Sequence, residues 1–400
     1  MLFEIHILQN HAPSNLNRDD TGSPKECVFG GYPRARISSQ CLKRTVRRSD
    51  AFQQALGADG LATRTRQLPE EIRKAFAGDA ALAEEAAKKA SGFGTKEGKE
   101  QEPKGGKYLT AQSMFLTQAD IAAVVETLRA AADGKPLAQF AKIPAKDLQA
   151  QAQAKGFRPV TVDVALFGRM TTSEAFRDVE AACQVAHALS THKVDHEFDY
   201  FTAVDDLQGT NEEEQEEDSG ADMIGDVEFN SACYYKYFSV DAEGLVDNLT
   251  GRRMSRRDIP DDDSAAARAL TGRALAALLR AAVTTTPTGK QNSFAAHQLP
   301  SLVLVEARPY PTPVSYANAF VEPVRTPKDG SDLTRASLGK LATHVEALTA
   351  GFNLEATARL LLAPEDPQFA IPGVERVPDL NTLCARLQTL AQASSEVPHV

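Results

Sequence analysis

Ser38, Ser39, Gln40, Lys43 and Arg47 combine hydroxyl, amide and cationic groups at a spacing suited to holding an anion. They belong to the segment RISSQCLKRTVRR, Arg36 to Arg48. The two serines are good helix N-caps, Leu42 and Val46 form an apolar i,i+4 face, and Lys43/Arg47 and Arg44/Arg48 are like-charged i,i+4 pairs. Each cation pair weakens an isolated helix by roughly 0.2–0.5 kcal/mol, so stacking two of them calls for counter-charge from outside the helix. Free amides at a helix N-terminus, beside a capping hydroxyl, can receive phosphate oxygens. The competing reading is a solvated basic face. A second group, His187, His192 and His196 with Asp195, Asp199, Asp205 and Asp206, has the ligand types of a metal-dependent nuclease. Against it stands an acidic, solvated hairpin with the histidines on or near the end of a helix.

Charge distribution bears on both. The 400-residue chain carries a net charge of -10, which argues against a nucleic-acid binder. Its distribution reverses that argument, because 14 acids and one lysine lie between Lys193 and Glu228, leaving 40 acids and 43 bases elsewhere. Between Lys25 and Arg48 there are seven Lys or Arg and one Glu. Segregation of this kind favours a bound polyanion in one region and electrostatic exclusion from another. Five cysteines without paired spacing fit a reducing compartment. The N-terminus does not read as a signal peptide, and no apolar run reaches the ~18 residues of a membrane span, so the expectation is a cytoplasmic protein with no membrane partner.

The elements that would position these residues follow from periodicity. Residues 2–8 read as a strand buried mainly on one face, followed by a turn-rich loop from His11 to Pro33 and a basic helix from about Ser39 to Leu56. Residues 60–155 read as a helical subdomain, with a capping box at Thr117–Asp120 and a glycine- and lysine-rich mobile loop at 91–107. Alternation from Val160 to Leu166 predicts a strand ending at Gly168–Met170, then a helix from about Ser173 to Thr191. An acidic hairpin follows from Phe198 to Glu228, a strand over 229–240, a helix over 264–283, a strand over 299–306, and helices near 336–350 and 379–393. Without its insertions this order approximates the split βαβ, ferredoxin-like arrangement of RNA-recognition folds.

Smaller motifs have two readings each. Gly30–Gly31 lacks the context of a P-loop or dinucleotide site and reads as a turn. The loop TTTPTGK, ending at Lys290, is either a phosphate contact or a structural turn. Tyr234, Tyr235, Tyr237 and Phe238 are either base-stacking groups or core. No Ser/His/Asp or Cys/His constellation is apparent, and nothing calls for a cofactor.

In combination, His11–Asp20 (HAPSNLNRDD), Phe29–Arg47, Gly168–Ser173 (GRMTTS), His187–Gln208 and Ser315–Phe320 (SYANAF) resemble the backbone subunit of type I-E CRISPR Cascade complexes, the CasC family of the repeat-associated mysterious protein superfamily. The resemblance spans residues 1 to about 320 and says less about 60–155 and 322–400. It implies an α+β fold: an RNA-recognition-like palm (1–59, 156–192 and 230–400), a helical fingers insertion (60–155) and a protruding β-hairpin thumb (193–229). It also implies a non-catalytic scaffold, copies of which line up along a CRISPR RNA and present it for pairing with target DNA. The partners implied are that RNA, further copies of the chain, the large, small, cap and RNA-processing subunits, and target DNA through the RNA–DNA duplex. Ser38, Gln40, Lys43 and Arg47 match phosphate-contacting positions, Arg18 and Lys25 match basic loop positions, Met170 a base-packing residue, and Phe201, Thr202 and Val204 a thumb wedge. Arg36, Ser39, Arg169 and Lys290 complete the expected RNA-binding set, with no metal site and no catalytic residue. Arg44 and Arg48 are expected to point elsewhere, toward a neighbour or solvent. The acidic run after Gln208 departs from the family pattern and would be repelled by phosphate, so it belongs at a tip or against another subunit. The alternative function is a metal-dependent endoribonuclease using the acidic thumb segment.

Overall fold

A computed structural model describes residues 1–57, 60–156, 158–203, 223–252, 261–325 and 332–393. Strand β1 (Leu2–Ser14) is its axis. A hairpin of β2 (Glu26–Phe29) and β3 (Tyr32–Ile37) turns at Gly30–Gly31 within what the sequence presents as a loop. Helix α1 (Ser39–Arg48) follows, and Ser49 then caps a separate α2 (Asp50–Leu56), so the basic helix is shorter than its periodicity suggests.

Next come β4 (Thr63–Thr65), α3 (Leu68–Ala75), α4 (Ala80–Ser91), β5 (Met114–Leu116), α5 (Gln118–Ala132), α6 (Leu137–Phe140), α7 (Ala145–Ala154) and α8 (Val162–Phe167). The remaining strands are β6 (Cys183–Val185), β7 (Ala188–Ser190), β8 (Glu197–Ala203), β9 (Met223–Asp241), β10 (Leu302–Arg308), β11 (Ala358–Leu362) and β12 (Glu375–Arg376). Helices α9 (Ala242–Thr250), α10 (Asp261–Thr284), α11 (Gln291–Phe294), α12 (Leu333–Gly351) and α13 (Leu380–Ala393) complete the described chain.

The large sheet runs β12-β11-β10-β1-β9-β7-β3-β2, with β6 and β8 also paired to β9. Its centre, β10-β1-β9-β7, is antiparallel throughout. Counted along the chain, that is the fourth, first, third and second strand of a ferredoxin-like unit, so the α+β palm has the expected topology. Its second strand is not the expected one. Residues 162–167 form helix α8, ended by Gly168 at φ 79°, and residues 183–190 supply β6 and β7 in place of a helix. The alternating pattern misleads because Val162 to Leu166 are buried on every side, so no solvent face exists to reveal a period.

Both faces of the sheet are covered. Phe3, Ile5 and Ile7 pack against α10 and α13, while Leu8, Leu302, Tyr235 and Leu304 pack against α12 and the 3₁₀ turn Tyr316–Phe320. This overturns the one-faced reading of residues 2–8 and places Tyr234, Tyr235, Tyr237 and Phe238 in the core, out of reach of a base.

A second core joins Leu68, Ile72, Ala86, Phe93, Val124, Leu128, Phe140 and Leu148 to Phe176. The capping box forms as read, with Thr117 Oγ accepting from Asp120 N and Asp120 accepting from Thr117 N. The 91–107 segment is tied down at its start, where Phe93 is buried and Gln149 donates to the Gly92 and Thr95 carbonyls.

Candidate nucleic-acid interface

Helix α1 forms one wall of a cleft of about 540 Å³ between the sheet-bearing core and the β4–β5 ribbon. Asn17, Ser38, Gln40 and Cys41 stand at its polar end, Phe115, Val164 and Phe167 give it apolar walls, and Lys43, Arg44, Arg47 and Arg64 bring four cations. Asp163 is the only carboxylate among its lining residues. One cation departs from the sequence reading: Arg44 lines the cleft with Lys43 instead of pointing away, whereas Arg48 is exposed and outside the lining residues, as expected. Arg64, on β4, lay in a region without a recognisable motif, and only the register of β4 against β5 brings it here.

The polar end is built from long-range contacts. Ser38 caps α1, its hydroxyl accepting from Cys41 N at 3.3 Å and its own amide donating to Asn17 Oδ1 at 2.8 Å. The Ser39 amide donates to His187 Nδ1 at 3.1 Å. Burial first, then Arg36 and Lys25, hold the His187 imidazole below its ordinary pKa, which keeps Nδ1 a free acceptor. Among the described residues, that leaves the Gln40 amide as the first-turn donor without a protein acceptor. His187 is therefore a support for this helix start, a role the sequence offered no spacing to reveal.

The expected site residues divide into three groups. Gln40, Lys43 and Ser39 lie at the cleft or its rim, and Arg36 and Lys25 lie beside it, Arg36 donating through Nε to Glu26 O. Arg18 is exposed on the loop that opens a second cleft of about 520 Å³, lined by Leu16 to Gly22 and by Gly289, the residue before Lys290. Met170 stands 93 % exposed.

A second group is engaged within the protein. Arg47 donates to Ala62 O (2.9 Å) and Asp163 Oδ2 (3.3 Å) and lies over the Phe115 ring at 4.9 Å. Asp163 in turn accepts from Ala62 N and Thr161 Oγ, so the pair locks the start of the fingers to α8. Arg169, expected at the RNA, is instead buried, donating to Asp120 Oδ2 at 2.6 Å and to the carbonyls of Phe115 and Arg177. The Ser38 hydroxyl is likewise held by its cap.

The third group is the thumb. Strands β8 and β9 pair from Glu197↔Phe229 to Ala203↔Met223. Val204, Asp205 and Asp206, with most of the acidic run, lie outside the described residues. The Phe201 ring covers Gly225, where a Cβ would stand 2.6 Å from Cζ, so glycine is what lets the ring lie flat on the hairpin. On the opposite face Phe198, Tyr200, Thr202 and Ile224 are exposed, Tyr200 at 76 % and Ile224 at 73 %. Tyr200 and Ile224 were missed in sequence because their neighbours looked merely acidic. At the root His196 bridges Glu26 of β2 (3.0 Å) and Glu228 of β9, tying the hairpin to the sheet edge.

The histidines do not converge as a metal site would require. His187 serves Ser39, His192 accepts from Cys233 N, and His196 bridges two glutamates. Among the described residues, three such groups come within ligating distance of one another at Glu4, His6 and Glu306. There the carboxylates already hold Arg308, Arg359, Tyr237 and Tyr316. Two guanidiniums neutralise two buried carboxylates, which is the chemistry of an internal ion-pair network, not of a cation site.

The described residues include no helix long and apolar enough to cross a membrane. No curated protein matches the chain. Among solved structures, a chain of a "CRISPR RNA-guided surveillance complex, pre-nicking" is similar at 29 % identity and a TM-score of 0.76, covering 98 % of this chain and 100 % of that one. A chain of a "CRISPR RNA-guided surveillance complex" at 24 % identity and a TM-score of 0.66, covering 96 % and 100 %, shares the fold. The model of the CT1975-like protein family matches residues 3–385, and with nearly the whole chain inside that match, the protein belongs to the CT1975-like family of Cas proteins.

Proposed function

We propose that this protein binds CRISPR RNA as a non-catalytic backbone subunit of a Cascade-type surveillance complex, of the type I-E kind its motifs resemble. The α1 cleft carries this reading: Lys43, Arg44 and Arg64 have no carboxylate among its lining residues beyond the one that holds Arg47. Backbone phosphates supply the missing counter-charge without sequence preference. Copies of the chain line up along the guide, each hairpin thumb reaching over RNA held by its neighbour with Tyr200, Phe201 and Met170 as apolar bodies between bases. Target DNA is then read by pairing with the RNA. The setting is the cytoplasm, with the other Cascade subunits as partners.

Protein co-expressed with a CRISPR RNA is expected to elute with an RNA of fixed length. Lys43→Ala with Arg44→Ala is expected to weaken binding evenly across sequences and to reduce the slope of log affinity on log salt by about 0.7 per lost phosphate contact. An unchanged slope would take these residues off the phosphate path. Labelled CRISPR RNA incubated with divalent metal is expected to stay intact; metal-dependent cutting that disappears in Asp199→Ala would refute a non-catalytic scaffold.

A further inference from the structure

The α1 cleft is poorly described as a phosphate cradle alone. Phosphate oxygens want donors, yet Phe115, Val164 and Phe167 provide aromatic and aliphatic walls, and the cations sit round them. Its ~540 Å³ falls within the roughly 300–1,000 Å³ of small-ligand sites. Two guanidiniums lie over the Phe115 ring: Arg47 at 4.9 Å, fixed there by Asp163 and Ala62 O, and Arg64 at 5.8 Å. The two covers differ in freedom. Arg47 is largely buried and doubly bonded, while Arg64 is exposed and makes no ion pair among the described residues. Swinging Arg64 aside makes room at an aromatic ring that the fixed Arg47 guanidinium continues to contact.

We propose that this cleft is a nucleobase slot, in which one unstacked base of the bound strand lies against Phe115, whose ring Arg47 holds in place, while Lys43, Arg44 and the displaced Arg64 take the phosphates flanking it. The inference rests on the RNA-binding reading and adds to it a base-accepting site between palm and fingers. A nucleotide is the occupant that matches both halves of the cleft, an apolar plane for the base and, for its phosphates, three cations that make no ion pair among the described residues. Arg169 contributes indirectly: it donates to the Phe115 carbonyl at 3.1 Å and so fixes the strand that presents the ring.

The test uses the full chain and single-stranded RNAs carrying 2-aminopurine at one position each, read by fluorescence and by affinity. The wild type is expected to quench some positions on binding. Phe115→Leu, which keeps an apolar side chain, is expected to lose that quenching and weaken binding by roughly 5- to 150-fold, the equivalent of one lost base–aromatic stack. Arg64→Ala, at an exposed side chain, is expected to leave folding intact, keep the quenching and flatten the salt slope. If RNA binds with full salt dependence but quenching is absent, or persists in Phe115→Leu, the slot is refuted while the RNA-binding reading stands. If Phe115→Leu changes self-association and leaves the fluorescence untouched, the cleft receives a second copy and the proposal is overturned. Failure of the wild type to bind RNA would remove both.

Discussion

Replacing Lys236 by Met is expected to make the free protein more stable at neutral pH. Lys236 lies fully buried on β9, its ammonium bonded to Gln9 Oε1, and makes no ion pair among the described residues. Burial pushes its pKa down from 10.5 to about 8, with Cys41 of α1 acting the other way. A depression of that size corresponds to about 3 kcal/mol against the charged form in the folded state, at roughly 1.4 kcal/mol per pKa unit. The sign follows from proton counts: between pH 8 and 10.5 the unfolded chain holds the proton that the folded chain has released, so stability rises with pH across that window. The destabilisation is complete below pH 8. Methionine keeps most of the volume and removes the charge, but leaves Gln9 Oε1 without its donor, a loss of about 1–2 kcal/mol. The net expectation is a gain of about 1–2 kcal/mol for Lys236→Met at pH 7, shrinking to nothing or reversing at pH 10. Urea unfolding at both pH values measures it, since other groups titrating in that range are common to both proteins and cancel. Equal destabilisation of the variant at pH 7 and pH 10 would refute the reasoning and mean that the ammonium is compensated in the fold.

Three further outcomes are expected. Arg169→Ala strands the buried Asp120 with Arg158 alone at 3.2 Å, so a loss of about 3 kcal/mol in chemical unfolding is expected with the RNA salt slope unchanged; a flattened slope would return Arg169 to the phosphate path. Met170→Ala, at a 93 % exposed side chain, should alter stability by less than about 0.5 kcal/mol while impairing assembly along RNA, and filaments of wild-type length on the same RNA would contradict it. Burial alone would raise Glu306, but His6, Arg308 and Tyr316 bring it down to about 2 from 4.5, so its contribution is complete above pH 4.5 and is lost as pH falls toward 2. Wild type should therefore lose up to about 3 kcal/mol more than Glu306→Gln across that interval, and parallel denaturation curves would exclude it.

What the sequence made legible was segregation and order, and what it hid was partnership at long range. The alternation of strand and helix was enough to place β1, β9, α10 and β10 and to predict the ferredoxin-like centre, because each has a long apolar run with definite ends. Residues 160–190 were misread for a common reason: α8 is buried on every side, and β6 and β7 are three residues each, recruited by pairing with β9 despite an alanine-rich, helix-like sequence. Arg169 and Met170, adjacent and equally plausible as RNA contacts, end up in opposite environments because Asp120, 49 residues earlier, claims one of them.

Charge shows the same division. Counting residues located the basic segment, but a count does not separate exposed cations from buried ones such as Lys236 and Arg34. Lys236 lies close enough to act electrostatically on Cys41 in the first turn of α1. Arg34, also buried, donates to the carbonyls of Ser190, Phe320 and Val321 and makes no ion pair among the described residues, its pKa lowered by burial. A buried cation without a carboxylate destabilises the free protein and is screened by water and salt much less than a surface charge. Its field therefore persists at the salt concentrations that weaken Lys43 and Arg44, and a polyanion laid across α1 recovers in binding part of what the free fold loses in stability. The stabilisation expected of Lys236→Met and a fall in its RNA affinity at high salt would then be two measurements of one buried charge.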